Sequence, residues 1–170
     1  MEFLNHEIAL YESSINCEKI IQSMENLNKF EKVNFRPHLT FFMDYEESVN
    51  DPKDLKYIRQ VIQNDLFPVF DAYLAGQGIT KYKHRPRYIV SKMMPGSDMD
   101  SHRDPIKSYA YDVYLNDNFS GGILIFDELG LEVKPKPGTL IMFRPYELHH
   151  VNMLHGNPRY SYGSGIERID

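Results

Sequence analysis

From about Arg87 onward the chain breaks into short apolar or alternating runs: RYIVSKMM, SYAYDVYLN, GGILIF, LEVKPK, TLIMF, HHVNM and RYSYGSGI, separated by Pro, Gly, Asn and Asp. Seven such runs in about 80 residues, with no helical period between them, restrict this half to a β-sandwich or barrel of the jelly-roll type.

The first half reads differently. HEIALYE at 6–12 has the pattern of a short strand, after which Ser13 or Ser14 can cap a helix carrying Ile15, Ile20, Ile21, Met24 and Leu27 at helical spacing. RPHLTFFM at 36–43 is an extended stretch, and SVNDPKD then supplies cap residues and a proline suited to a helix start. Leu55, Ile58, Ile62, Leu66, Val69, Phe70 and Tyr73 recur every three or four residues as one apolar helix face, and Gly76 and Gly78 end it. KYKHRPR, at 81–87, reads as a solvated loop. The expected fold class is α+β: a double-stranded β-helix (jelly-roll) core with N-terminal helices packed against one sheet. Residues 1–170 form one domain in this reading, with a helical support region over about 1–86 and the core over about 87–170.

A chain of 170 residues with 42% hydrophobic content can bury one substantial core. Its net charge of -5 argues against a nucleic-acid partner, which draws on clustered Lys and Arg. No stretch approaches the roughly 18 apolar residues of a membrane span, and the start has neither a basic n-region nor an apolar h-region, so a cytoplasmic location is expected. The single cysteine, Cys17, excludes an internal disulfide and any multi-thiolate metal site. It lies in a helical pattern and reads as a small core hydrophobe. A metal here must rest on His and carboxylates.

SHRDP places His102 and Asp104 two apart, and at a strand end i and i+2 point to the same side. LHHVNMLHGNPRYS reads as a strand, a turn and a returning strand, so a hairpin centred near Leu154 sets residue 149 opposite residue 159. His149, Val151, Arg159 and Ser161 then share one face, His150 points to the other, and His155 falls in the turn. Two histidines and one carboxylate form the facial triad of non-haem Fe(II) oxygenases and leave open positions on an octahedral ion. An arginine behind the metal, with a neighbouring hydroxyl, can hold a carboxylate bidentately. Open positions and a fixed cation suit a 2-oxo acid with a distal carboxylate.

The order HRD, YLND with GGILIF, PKPGTLIMF, LHHV and R-Y-S resembles the Fe(II)/2-oxoglutarate-dependent dioxygenases, closest to the prolyl 4-hydroxylase-like group. The likeness runs from PGSDMDSHRD through Ile166, with the proline-glycine pair seven residues before His102 and Arg159 ten after His149. It implies that His102, Asp104 and His149 bind Fe(II), and that Arg159 pairs with the 5-carboxylate of 2-oxoglutarate, helped by Ser161 and Tyr114. It also implies O2 as cosubstrate, ascorbate as a candidate reductant, and a prolyl residue of a peptide or protein as substrate, with succinate and CO2 released. Gly121, Gly122 and the Pro137-Gly138 pair read as structural, and GQGITKYKHRPR lies where a substrate-covering loop is plausible.

There are departures. Many prolyl hydroxylases carry a tyrosine a few residues before the proline-glycine pair, where this chain has Lys92, Met93 and Met94. Related nucleic-acid demethylases carry a second arginine six residues after the first, and here that position is Gly165. Two other readings stay open: hydroxylation of a free amino acid or other small molecule, and a non-catalytic jelly-roll module that holds a metal.

Overall fold

The computed structural model describes residues 1–4, 8–33, 38–44, 46–104, 109–134, 136–144 and 146–169. In chain order the elements are β1 (Glu2–Phe3), β2 (Ile8–Glu12), α1 (Cys17–Leu27), β3 (Glu31–Lys32), β4 (Leu39–Asp44), α2 (Lys53–Val61), a π-helical turn (Ile62–Leu66) and α3 (Phe67–Gly76). There follow β5 (Tyr82–His84), β6 (Arg87–Met93), β7 (Met99–His102), β8 (Tyr109–Tyr114), β9 (Phe119–Gly121), β10 (Leu124–Phe126) and β11 (Leu131–Val133). The chain closes with β12 (Thr139–Phe143), β13 (His149–Val151), β14 (Leu154–Gly156) and β15 (Arg159–Arg168). All seven runs read as strands contain one. His6, Glu7, Arg36, Pro37 and Ser108, at the ends of three expected extended segments, lie outside the described residues.

Among the described residues every strand pair is antiparallel, as expected for short strands joined by tight turns. A large sheet runs β1-β2-β12-β8-β15-β6-β4-β3, with β5 added to β15, and a small sheet runs β11-β10-β13-β7. The pair β14-β9 stands apart. Alternation along the large sheet feeds two cores. Leu140, Met142, Tyr111, Val113 and Tyr162 pack with the helix residues Ile20, Met24, Ile58 and Phe70. The intervening Ile141, Phe143, Ala110, Tyr114 and Met93 pack with Leu124, Phe126, Val133 and Val151 of the small sheet. The molecule is therefore layered as helices, large sheet and small sheet, a stack in which the central strands of the middle layer are buried on both faces. The N-terminal region contributes β2 and β4 to that middle layer as well as the helices.

Local differences from the sequence reading have physical causes. Helix α1 is capped by Asn16, whose side chain accepts from the Lys19 N–H, rather than by Ser13 or Ser14. Ser13 instead bonds the Gly138 carbonyl through both its N–H and its hydroxyl, tying the start of the helix to the turn before β12. Cys17 opens α1 half-buried, and burial pushes its thiol up. The long apolar helix is interrupted by the π-turn because Pro68 has no N–H to offer Asn64, and the Phe67 N–H reaches back to Ile62 instead. Arg59 on α2 is 2% exposed and spans to Asp51 at 2.8 Å and to the Asp44 carbonyl at 3.2 Å, which fixes α2 to the end of β4.

KYKHRPR is not a solvated loop. Tyr82–His84 pairs with the end of β15, His84 stacks on Phe67 at 4.0 Å, and Arg87 already belongs to β6. The charges misled because Lys83 and Arg87 point outward, toward Glu167 and Asp44 at 3.0 Å each, while the alternate residues face the protein.

Gly121 and Gly138 have positive φ, of 67° and 80°. A Cβ on Gly121 would run into the Met153 carbonyl oxygen, and one on Gly138 would sit 2.7 Å from the Ser13 carbonyl oxygen. Gly121→Ala is expected to destabilise by about 2 kcal/mol or more, combining left-handed strain with overpacking. Thermal unfolding will show it as a lowered midpoint, and a midpoint equal to wild type would refute the close approach.

Candidate functional site

His102 is the last residue of β7 and His149 the first of β13, and the two are direct partners in the small sheet. Neighbours in a ladder share a face, and the two rings stand 4.4 Å apart at 53°. Asp104 follows two residues after His102 on the same side, with its Oδ1 3.9 Å from His102 Nε2. One ligand atom from each of the three residues lies within 4.8 Å of the others. Among the described residues this is the one such grouping of His, Cys and carboxylates.

Both rings are oriented by backbone. His102 Nδ1 lies 2.8 Å from the Asp100 carbonyl, and His149 Nδ1 lies 2.7 Å from the Glu147 carbonyl. A carbonyl only accepts, so each Nδ1 carries a proton, and in the neutral ring the lone pair is left on Nε2. That is the tautomer a metal ligand needs, fixed before any metal arrives. His149 is 3% exposed and set between Phe126 and Phe143, at 5.9 and 5.3 Å, whereas His102 and Asp104 are only half-buried. The grouping thus has one dry side and one open side.

Across from it, the inner face of the large sheet carries Arg159, 7% exposed. Its Nη1 donates to the Gly122 carbonyl at 2.6 Å, its Nε is buried with no partner, and no carboxylate pairs with it among the described residues. A buried cation left this way is costly unless an anion completes it. The guanidinium lies 5.4 Å from the Tyr114 ring centroid. Burial, offset in part by Arg159, holds the Tyr114 phenol well above the ordinary tyrosine range, so it stays protonated and able to donate. Ser161 is buried directly opposite Tyr114 in the ladder.

The structure therefore brings His102, Asp104 and His149 together, and groups Arg159, Ser161 and Tyr114 on the facing sheet. It does so by a different route from the expected hairpin. Residues 149 and 159 are not opposed: His149 pairs with His102 and Phe126, while Arg159 pairs with Met93. Leu154–Gly156 pairs with Phe119–Gly121, and the chain crosses from the small sheet to the large one in between. Pro158, without an N–H, cannot extend a ladder there, and Asn116 bridges its carbonyl and the Tyr160 N–H instead. The inward choice survives because alternation belongs to each strand whatever its partner. His149 is buried, His150 points outward toward Asp127 at 2.7 Å, and His155 is exposed.

The carbonyls of Asp100, Glu147 and Gly122 escaped the sequence reading, since backbone groups leave no mark in a sequence. Ser91 and Thr40 escaped too, although strand parity could have found them. They continue the row Tyr114, Ser161, Ser91, Thr40 across β8, β15, β6 and β4, all buried.

No protein-family model matches the chain, and no curated protein matches it in sequence. Solved structures do match. A Trichoplax adhaerens prolyl hydroxylase in complex with a hypoxia inducible factor oxygen degradation domain peptide fragment aligns with TM-score 0.75 at 16% identity, over 96% of this chain and 84% of that one. A 2OG-Fe(II) oxygenase family oxidoreductase from Burkholderia pseudomallei gives TM-score 0.70 at 16% identity, over 96% and 85%. A viral collagen prolyl hydroxylase from Paramecium Bursaria Chlorella virus-1, in complex with 2OG, gives 0.67 at 15%, over 96% and 97%. The likeness to 2-oxoglutarate oxygenases of the prolyl-hydroxylase kind, read from the motifs, is thus matched by a likeness of fold. No helix among the described residues is long and apolar enough to cross a membrane.

His149→Ala is expected to abolish binding of a divalent ion such as Mn(II) in calorimetry, and His155→Ala to leave it intact. Equal losses from the two would refute the inward-outward distinction.

Proposed function

We propose that the chain is an Fe(II)- and 2-oxoglutarate-dependent dioxygenase on a double-stranded β-helix, which hydroxylates a prolyl residue in a peptide or protein and releases succinate and CO2. The observation that carries the reading is the pairing of two features on facing sheets: three convergent donors of the His, Asp, His type, and a buried arginine without a carboxylate. Residues 1–170 act as one catalytic domain in this reading.

The donor set suits Fe(II). Two imidazoles and one carboxylate, those of His102, His149 and Asp104, would hold the ion. Bound Fe(II) supplies, with 2-oxoglutarate and O2, the redox chemistry that no side chain here can perform. Arg159 receives the distal carboxylate of 2-oxoglutarate, the anion that its buried Nε lacks. Tyr114 donates from the side, its phenol kept protonated by burial. Ser161, its ladder neighbour, offers a second hydroxyl. Phe126 and Phe143 keep water from the buried flank of His149, while the half-buried His102 and Asp104 leave the opposite flank open to substrate. The prolyl substrate is carried over from the structural relatives that are prolyl hydroxylases.

The test is succinate release by the full chain with Fe(II), 2-oxoglutarate, O2 and ascorbate, against a panel of proline-containing peptides and free proline. Succinate that rises with one peptide, together with one added oxygen on its proline, is the expected result. A rise with free proline only would move the substrate to small molecules. Metal binding with no enhancement by 2-oxoglutarate and no succinate would leave the binding module. Arg159→Ala is expected to raise the 2-oxoglutarate KM roughly ten- to a hundredfold, the worth of a charge-assisted pair. An unchanged KM would reject that role for Arg159.

A further inference from the structure

Strand β7, which carries His102, is the outermost strand of the small sheet. It pairs with β13 at His149↔His102 and Val151↔Met99, so that one residue of β13, His150, stands against two of β7, Asp100 and Ser101. This is a β-bulge, and the ladder is interrupted directly beside the two histidines. The bulge has a use, because the Asp100 carbonyl comes to rest on His102 Nδ1. It also has a cost, since an interrupted edge strand does little to hold the direction of its last side chain.

Side chains on the outer face replace the missing ladder. The residues flanking His102 are each held by one of two consecutive acids just after β10. Ser101 Oγ donates to Asp127 Oδ2 at 2.5 Å, and Arg103 Nη2 donates to Glu128 Oε1 at 2.6 Å. Arg103 Nη1 also donates to the Tyr146 carbonyl. The other oxygen of Asp127 lies 2.7 Å from His150 Nδ1, off the line of a hydrogen bond, and the Asp127 N–H donates to the Leu148 carbonyl at 2.9 Å. One carboxylate therefore touches β7 and β13 from the end of β10, immediately behind His102 and His149. Alternation makes this possible: Ser101 and Arg103 are exposed while His102 and Asp104 turn inward.

We propose that Asp127, assisted by Glu128, is a positioning residue for the metal site, an outer-face clamp that sets β7 against β13 and so aims His102 and Asp104. The proposal rests on the metal-site reading above. The Arg103–Glu128 pair is exposed and contributes little alone, so Asp127 and Ser101 carry most of the effect.

Co(II) binding to the full chain tests it, by calorimetry and by the visible ligand-field spectrum, beside thermal unfolding of the metal-free proteins. Asp127→Ala is expected to weaken Co(II) on the order of tenfold, the lower end of what losing a group that orients a metal ligand costs, and to alter the spectrum. Ser101→Ala should shift both in the same direction by less. Asp127→Asn, which keeps an acceptor for Ser101, should recover most of the affinity, and the metal-free midpoints should stay within about 3 °C of wild type. A Co(II) affinity and spectrum unchanged in both alanine variants would overturn the clamp. Should Asp127→Ala fail to fold, Ser101→Ala decides by itself. Absence of Co(II) binding to the wild type would instead overturn the metal-site reading, and the clamp with it.

Discussion

The central strands of the large sheet, β12, β8 and β15, are buried on both faces, one against the helices and one against the small sheet, and the site depends on that constraint. A strand with two buried faces reads as a nearly continuous apolar run, as TLIMF of β12 does. A charge on such a strand must be met by something. Arg159 at the start of β15 is met by one carbonyl and the face of Tyr114, and its Nε by nothing. Burial leaves this guanidinium without a counter-anion among the described residues, whereas the same residue on a wet face would be satisfied by water.

The two halves of the site come from different layers. His102, His149 and Asp104 belong to the small sheet and the segment after β7, and Tyr114, Arg159 and Ser161 belong to β8 and β15 of the large sheet. Neither set is complete until the sheets close on the shared core of Phe126, Phe143, Tyr114 and Val151. The same closure sets the electrostatics. It buries His149 against two aromatic rings, raises the Tyr114 phenol and keeps water from Arg159, while the backbone carbonyls choose the histidine tautomers. Helices α1 to α3 pack against the opposite face of the large sheet.

Much of this was legible in the residues. The seven strand runs, the apolar face from Leu55 to Tyr73, the inward direction of His149 and the burial of Arg159 and Ser161 all follow from periodicity, which depends on local backbone geometry. What failed had causes beyond local reach. Ser13 looks as good a cap as Asn16, but its hydroxyl is taken by a carbonyl 125 residues away. KYKHRPR looks like a loop because its outward charges hide the alternation of a strand formed on the far end of β15. The hairpin from His149 to Arg159 looks local, but β14 prefers β9 and the chain changes sheet.

The sequence by itself picked out the residues that the proposed chemistry calls for: a His-x-Asp, a later inward histidine and an arginine with a neighbouring hydroxyl. Side-chain type and strand parity are properties of the chain alone. Only the tertiary structure decided how they meet. It placed His102 beside His149 rather than Arg159 beside His149, turned the Asp100 and Glu147 carbonyls onto the two rings, and set Asp127 behind them. Strand partners, bulges and backbone acceptors arise from residues distant in sequence that compete for the same edge, and that competition is settled by which pairing buries both cores at once.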